Sequence, residues 1–338
     1  MRPTLPGLLG AAVCVAVALA AAPAASQPDG GSALPLESRP LVLNPEDRAQ
    51  QQVGRLVWRG GLALSSSASA FGGLSDLLLD GTGTRLAAIS DNGRWLTATL
   101  TYDAAGHLSG IEGARLGRLK GDDGAPLSRG RHKDAESLAR FPDGSLVVGY
   151  ERDHRFRRLP AQNSFAARPG PFPAPRALAG AALNAGVEAL VALDDGRLLA
   201  FTEGQRYGDN TAVYLWKGDG SGSGNWARLA LKPSGLFQPT GATLLPDGDV
   251  LLLERRFTLL GGLGIRLSRI PLGTIRPGAV LESAEIAELR PPLTLDNFEG
   301  VAVHRTAEGA TRLTLLADDN FNALQRSLIV QFELLPER

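Results

Sequence analysis

One construction occurs five times in this chain, and that repetition limits the fold more than any local propensity does. Its clearest copy is "DAESLARFPDGSLVVGYER", Asp134 to Arg152. An apolar strand follows Glu136, a P-D-G turn reverses the chain, and a second apolar strand closes on Glu151 and Arg152. The other copies begin at Phe71 ("FGGLSDLLLDGTGTRLAAISDNG"), Asn184 ("NAGVEALVALDDGRLLAFTEG"), Gln238 ("QPTGATLLPDGDVLLLERR") and Asp296 ("DNFEGVAVHRTAEGATRLTLLADDN"). Each hairpin is followed by further strand-like runs, such as "WLTATLTY" from Trp95 and "AVYLWKG" from Ala212. Four strands per unit at this period predict an all-β fold, a β-propeller.

Five hairpins give five blades, and the irregular stretch between Asp153 and Gly180 leaves room for a sixth. The last unit lacks a fourth strand, whereas "GRLVWRGGLAL", Gly54 to Leu64, is a strand without a hairpin partner. That N-terminal strand is expected to complete the last blade and close the ring, which removes the exposed edges. Residues 53–338 are therefore read as the propeller. Residues 27–52, polar and aperiodic, are read as a flexible leading segment.

The spacing of acids gives the candidate site. Asp76 and Asp91, Glu136 and Glu151, Glu188 and Glu203, Thr240 and Glu254, and Glu299 and Asp318 fall at the open ends of the five hairpins, so nine of ten such positions are carboxylates. In a propeller the first strand of each blade starts, and the second ends, on one face. The acids should then surround one axial funnel, where like charges raise each other's pKa and require cations. Hard divalent ions with oxygen ligands suit this set, Ca²⁺ above all in an exported protein. Alternatively, Arg152, Arg255 and Arg256, which directly follow acids, form an interleaved ion-pair ring that only holds the blades together. His154, in "ERDHR", is the candidate acid or base beside the mouth. Asp143, Asp195 and Asp247 are turn residues on the opposite face. No H-E-x-x-H and no G-x-S-x-G occurs, which removes the usual zinc-protease and serine-hydrolase signals.

Residues 1–26 read as a Sec-type signal peptide, with Met1-Arg2, an apolar run over Leu8 to Ala21, and small residues up to Ser26. The expected location is periplasmic or secreted, with no stable membrane anchor after cleavage. The one cysteine, Cys14, lies in that run, so the mature chain has no thiol chemistry. Thirty-five basic side chains balance thirty-five acidic ones, which gives no indication of a nucleic-acid partner. A monomer acting on a small molecule is expected.

"GGLSDL", "SDNG", "DAESLA", "GVEAL", "PTGATLLPDGDVLLLERRF", "DNFEGVAV" and "LLADDNFN" together resemble the phytase-like domain of exported bacterial proteins, the family described by an esterase-like activity of phytase. The resemblance runs from about Arg55 to Leu335. It implies ester hydrolysis, with phosphate esters as substrates and Ca²⁺ as cofactor. The Asp-rich "DAADDPA"-type segment of the β-propeller phytases proper is missing, which argues against phytate itself. In this reading Glu136, Glu299, Arg152, Arg255, Arg256 and His154 are the catalytic candidates. Asp76, Asp91, Glu136, Glu151, Glu188, Glu203, Glu254, Glu299 and Asp318 are the metal candidates. The competing reading is a non-catalytic propeller that binds a ligand or protein at the same mouth.

Overall fold

The computed structural model describes residues 31–337 except 129, 162–164, 219–223 and 260. The expected signal peptide and Cys14 lie outside the described residues. The inner strands Leu74–Leu79, Ala135–Arg140, Val187–Ala192, Gln238–Leu244 and Asn297–Arg305 lie side by side in a closed ring. Each begins an antiparallel meander running outward, so the molecule is a five-bladed β-propeller. The turns explain why the hairpins form. Asp143, Asp195 and Asp247 each accept the backbone N–H two residues on, at 2.9, 3.1 and 3.2 Å, and Gly144, Gly196 and Gly248 take the positive φ that the reversal demands.

Closure follows the expected route. Leu56–Ser66 pairs antiparallel with Ser327–Leu334 and so becomes the fourth strand of blade five. The ring is thus fastened by hydrogen bonds between the two ends of the propeller sequence. Outside this strand the structure departs from the reading of 27–52 as a flexible segment. Leu36–Pro40 adds to the closing strand, Ser32–Ala33 adds to the outer strand of blade one, and Leu43 is fully buried between blades four and five. "LESRP" reads as polar because it is an edge strand with solvent over much of it, and ladder bonds need no apolar side chains.

Among the described residues no sixth blade occupies the stretch after Asp153. Arg155–Leu159 and the three-residue Gly170–Phe172 are the outer strands of blade two. Apolar faces of neighbouring blades pack together, as where Ile89 and Trp95 of blade one meet Leu138, Val148 and Tyr150 of blade two. Trp95 is accommodated because Gly31 and Gly117 leave room for its ring: a Cβ on either would come within 2.3 Å of it.

Candidate functional site

Every inner strand carries a β-bulge at the same level, where the register to the second strand slips by one residue. The extra residues are Ser75, Glu136, Glu188, Thr240 and Glu299. A bulge re-aims one side chain without ending the strand. Here it repeats round the channel and gives three glutamates, a serine and a threonine at one depth. Glu136, Glu188 and Glu299 are thus brought together: Glu188 and Glu299 both raise the pKa of Glu136, and Glu299 raises that of Glu188.

Asp76 does not belong to this tier, because Ser75 holds the equivalent position. Its carboxylate is 2% exposed and accepts from the N–H groups of Leu138 at 2.7 Å and Leu77 at 2.8 Å. It is a latch between blades one and two rather than a ligand facing the mouth. Burial raises its pKa well above the usual value, and those two N–H groups act against the rise.

A second tier lies at the ends of the second strands. Asp91, Glu151 and Glu203 donate backbone N–H groups to Gly73, Asp134 and Gly186 at 2.9, 2.8 and 3.2 Å. The matching pairs in the other blades are Arg255 with Gln238 and Asp318 with Asn297. Blade four therefore presents Arg255 at the mouth, not Glu254. Glu254 is 1% exposed and turned into its own blade, where it accepts from Ser268 Oγ at 2.9 Å and lies 3.8 Å from Arg266. Arg256 also leaves the site, with its guanidinium on Glu288 at 3.2 Å and stacked over Phe237. His154 holds the carbonyl of Ala182 at 2.9 Å through Nε2, in the loop beside blade two.

The mouth is strongly acidic. Burial raises Asp318 to about 8, Glu299 to about 7 and Asp91 to about 6, with help from like charges around them. Glu136 and Glu188 rise well above the usual carboxyl range, first by burial and then by neighbouring glutamates. Glu188 shares a hydrogen bond with Glu151, and Asp134 shares one with Glu136. The two arginines present are already engaged. Arg152 pairs with Asp134, and Arg255 lies 3.5 Å from Glu299.

Asp134, Glu136 and Glu151 each offer a carboxylate oxygen, and these oxygens lie within 4.8 Å of one another. The donor set is all oxygen and suits a hard divalent cation. Nearby Asp91 Oδ1 and Asn92 Oδ1 are buried without hydrogen-bond partners, which also fits an environment completed by a cation. Asp134 was not among the candidates read from sequence. The available signal was the D-x-E spacing from Asp134 to Glu136, matched by Asn297 and Glu299, where Asn297 Nδ2 donates to Glu299 at 2.7 Å. Asp319 instead ties blade five to blade one, accepting from Gly73 N, Phe321 N and Ser327 Oγ at 3.0, 3.0 and 2.9 Å.

Among solved structures, one described as a streptogramin B lyase shares 11% identity over 90% of this chain and 89% of that one, with a TM-score of 0.40. The structure of U3-55K shares 10% identity over 78% of this chain and 96% of that one, with a TM-score of 0.39. No curated protein matches the chain. The family model for phytase-like proteins, described as esterase-like activity of phytase, matches residues 69–321, which include all five bulges and both acidic tiers. This chain belongs to the phytase-like family.

Proposed function

We propose that this protein is an exported hydrolase of phosphate or carboxylic esters, working as a monomer on small molecules at the acidic mouth of its propeller with Ca²⁺. The observation that supports this reading best is the Asp134, Glu136 and Glu151 group, whose oxygens lie close enough to share one ion. Bound there, Ca²⁺ would supply Lewis acidity toward the ester.

The remaining steps fall to the chain's own groups. Glu299, raised to about 7, holds a proton near neutrality and would pass it to the leaving alkoxide as water displaces it. Arg255 beside it offers positive charge where the transition state becomes negative. Glu188, with its proton directed to Glu151, keeps the ligand carboxylate ionised and oriented. The pairing of Arg152 with Asp134 and of Arg255 with Glu299 favours a second reading, a binding propeller whose arginines serve only to hold the acids.

A panel of chromogenic phosphate and acyl esters, assayed with calcium and with chelator, separates the two. The hydrolase reading predicts calcium-dependent turnover that Glu136→Gln and Glu151→Gln abolish while the variants stay folded. Failure on every ester, with calcium still raising thermal stability, would leave the binding reading.

A further inference from the structure

We infer that the face opposite the mouth carries a second binding site, a cavity between blades five and one that takes a small molecule through a single carboxylate. The cavity has a volume of about 380 Å³. It is lined by the turn at Thr82, by Tyr102 and the turn after it, and by His304, Glu308 and Arg312 of blade five. Its basic side follows from strand pairing. His304 and Arg312 stand opposite each other in the inner hairpin of blade five, so both side chains leave one face of the sheet, toward blade one.

Both residues are buried, at 7% and 6% exposure, and both are short of partners. Neither ring nitrogen of His304 has a hydrogen-bond partner among the described residues. The ring is nevertheless fixed, because it lies against Gly83, where a Cβ would come within 2.5 Å of three of its atoms. Arg312 donates from Nη1 to the carbonyl of Gly106 at 2.9 Å, but its Nε is buried without an acceptor and its Nη2 lies 3.8 Å from Glu333. That carboxylate is already held by Arg59, whose Nε and Nη2 both lie 2.8 Å from its Oε2. Two arginines thus share one acid, and Arg312 has the poorer contact. Buried donors left in this state are rare and costly in a native protein, and an anion supplies the acceptor they lack.

Other polar groups of the cavity are engaged. Tyr102 donates its hydroxyl to the carbonyl of Gly83 at 2.6 Å and accepts from Gln331 Nε2 at 3.0 Å. Asp103 accepts from the N–H groups of Ala105 and His107 at 2.9 and 2.8 Å within its own turn. The free donors are therefore those of His304 and Arg312. Asp103 and Glu308, exposed at the rim, set the charge of the occupant. One negative charge is met by the buried guanidinium, whereas a second would face both rim acids without a cation of its own. A planar carboxylate satisfies this limit and matches the geometry of the guanidinium.

The test is a titration of the metal-free mature chain with acetate and with phosphate, above neutral pH and at constant ionic strength in chloride. Without metal, no cation in the mouth recruits the anion. Proton NMR of the histidine rings is the readout, and the signal lost in His304→Gln identifies His304. Acetate should move that signal saturably in the millimolar range, and phosphate should bind more weakly. Arg312→Gln should weaken acetate at least roughly tenfold, as expected for loss of a charged donor. Ala307→Glu adds an acid at an exposed turn residue of the rim and should weaken it at least roughly threefold. If Arg312→Gln does not fold, Ala307→Glu decides. A His304 signal that acetate leaves in place, equal binding by wild type and Ala307→Glu, or tighter binding of phosphate than of acetate would each overturn the inference.

Discussion

Replacing Glu299 by Gln should stabilise the cation-free protein at pH 8, although the position lies within the site. Its side chain is 18% exposed, and burial with nearby Asp91 and Glu203 moves its carboxyl from 4.5 in the unfolded chain to about 7 when folded, despite Arg255 and Asn297. A raised folded value means that ionisation costs stability above pH 7 and costs nothing below pH 4.5. At pH 8 the gap corresponds to about 3 kcal/mol as an upper bound, from ~1.4 kcal/mol per unit. Loss of the Arg255 pair and mutual adjustment among the acids reduce this to about 1–2 kcal/mol, or about 2–6 °C in Tm for a domain of this size. Differential scanning fluorimetry in chelator at pH 8 and pH 4.5 measures it, with the rise expected at pH 8 alone. A Tm that falls or stays unchanged at pH 8, or rises equally at both, would refute the argument that like charges crowd this mouth.

Three further outcomes concern buried titratable side chains away from the mouth. Asp76→Ala should cost about 1–3 kcal/mol by stripping Leu138 N–H of its acceptor, with calcium affinity unchanged in titration calorimetry. Glu254→Ala strips buried Ser268 of its acceptor while Arg266 keeps Glu285 at 3.5 Å, and should cost about 1–2 kcal/mol in urea unfolding, again without moving calcium affinity. His304, 7% exposed and lowered to about 4 by burial and Arg312, is neutral when folded, so the unfolded chain takes up its proton first, from pH 6.5 downward. Its contribution is therefore full above pH 6.5 and declines as pH falls toward 4, and His304→Gln should flatten that part of the stability curve relative to wild type.

The ring was legible because each hairpin carries its own turn chemistry and its own pair of apolar strands, so five blades are countable without long-range information, and only the irregular stretch after Asp153 leaves room for a sixth. The closing strand was legible for the converse reason: an apolar strand at Leu56–Ser66 with no local partner must find a distant one. The site was read less well, in a systematic way. A bulge adds one residue to one strand, and nothing in a period-two pattern marks it, so the spacing points to Asp76 where Ser75 stands at the mouth. Blade four misled similarly, because Glu254 beside Arg255 offered an acid where the register presents the arginine. The edge strand Leu36–Pro40 went unread because its stability comes from backbone pairing and its side chains face water.

The central claim is that acids from separate blades meet at one opening and bind a cation there through Asp134, Glu136 and Glu151. Titrating calcium into the metal-free protein by calorimetry tests it directly, with Glu136→Gln and Glu151→Gln as companions and Glu254→Gln as control. Saturable binding in the wild type and the control, weakened at least roughly tenfold in each companion, is the predicted result, as expected for loss of one charged ligand. Absence of binding, or equal binding by all four proteins, would contradict it.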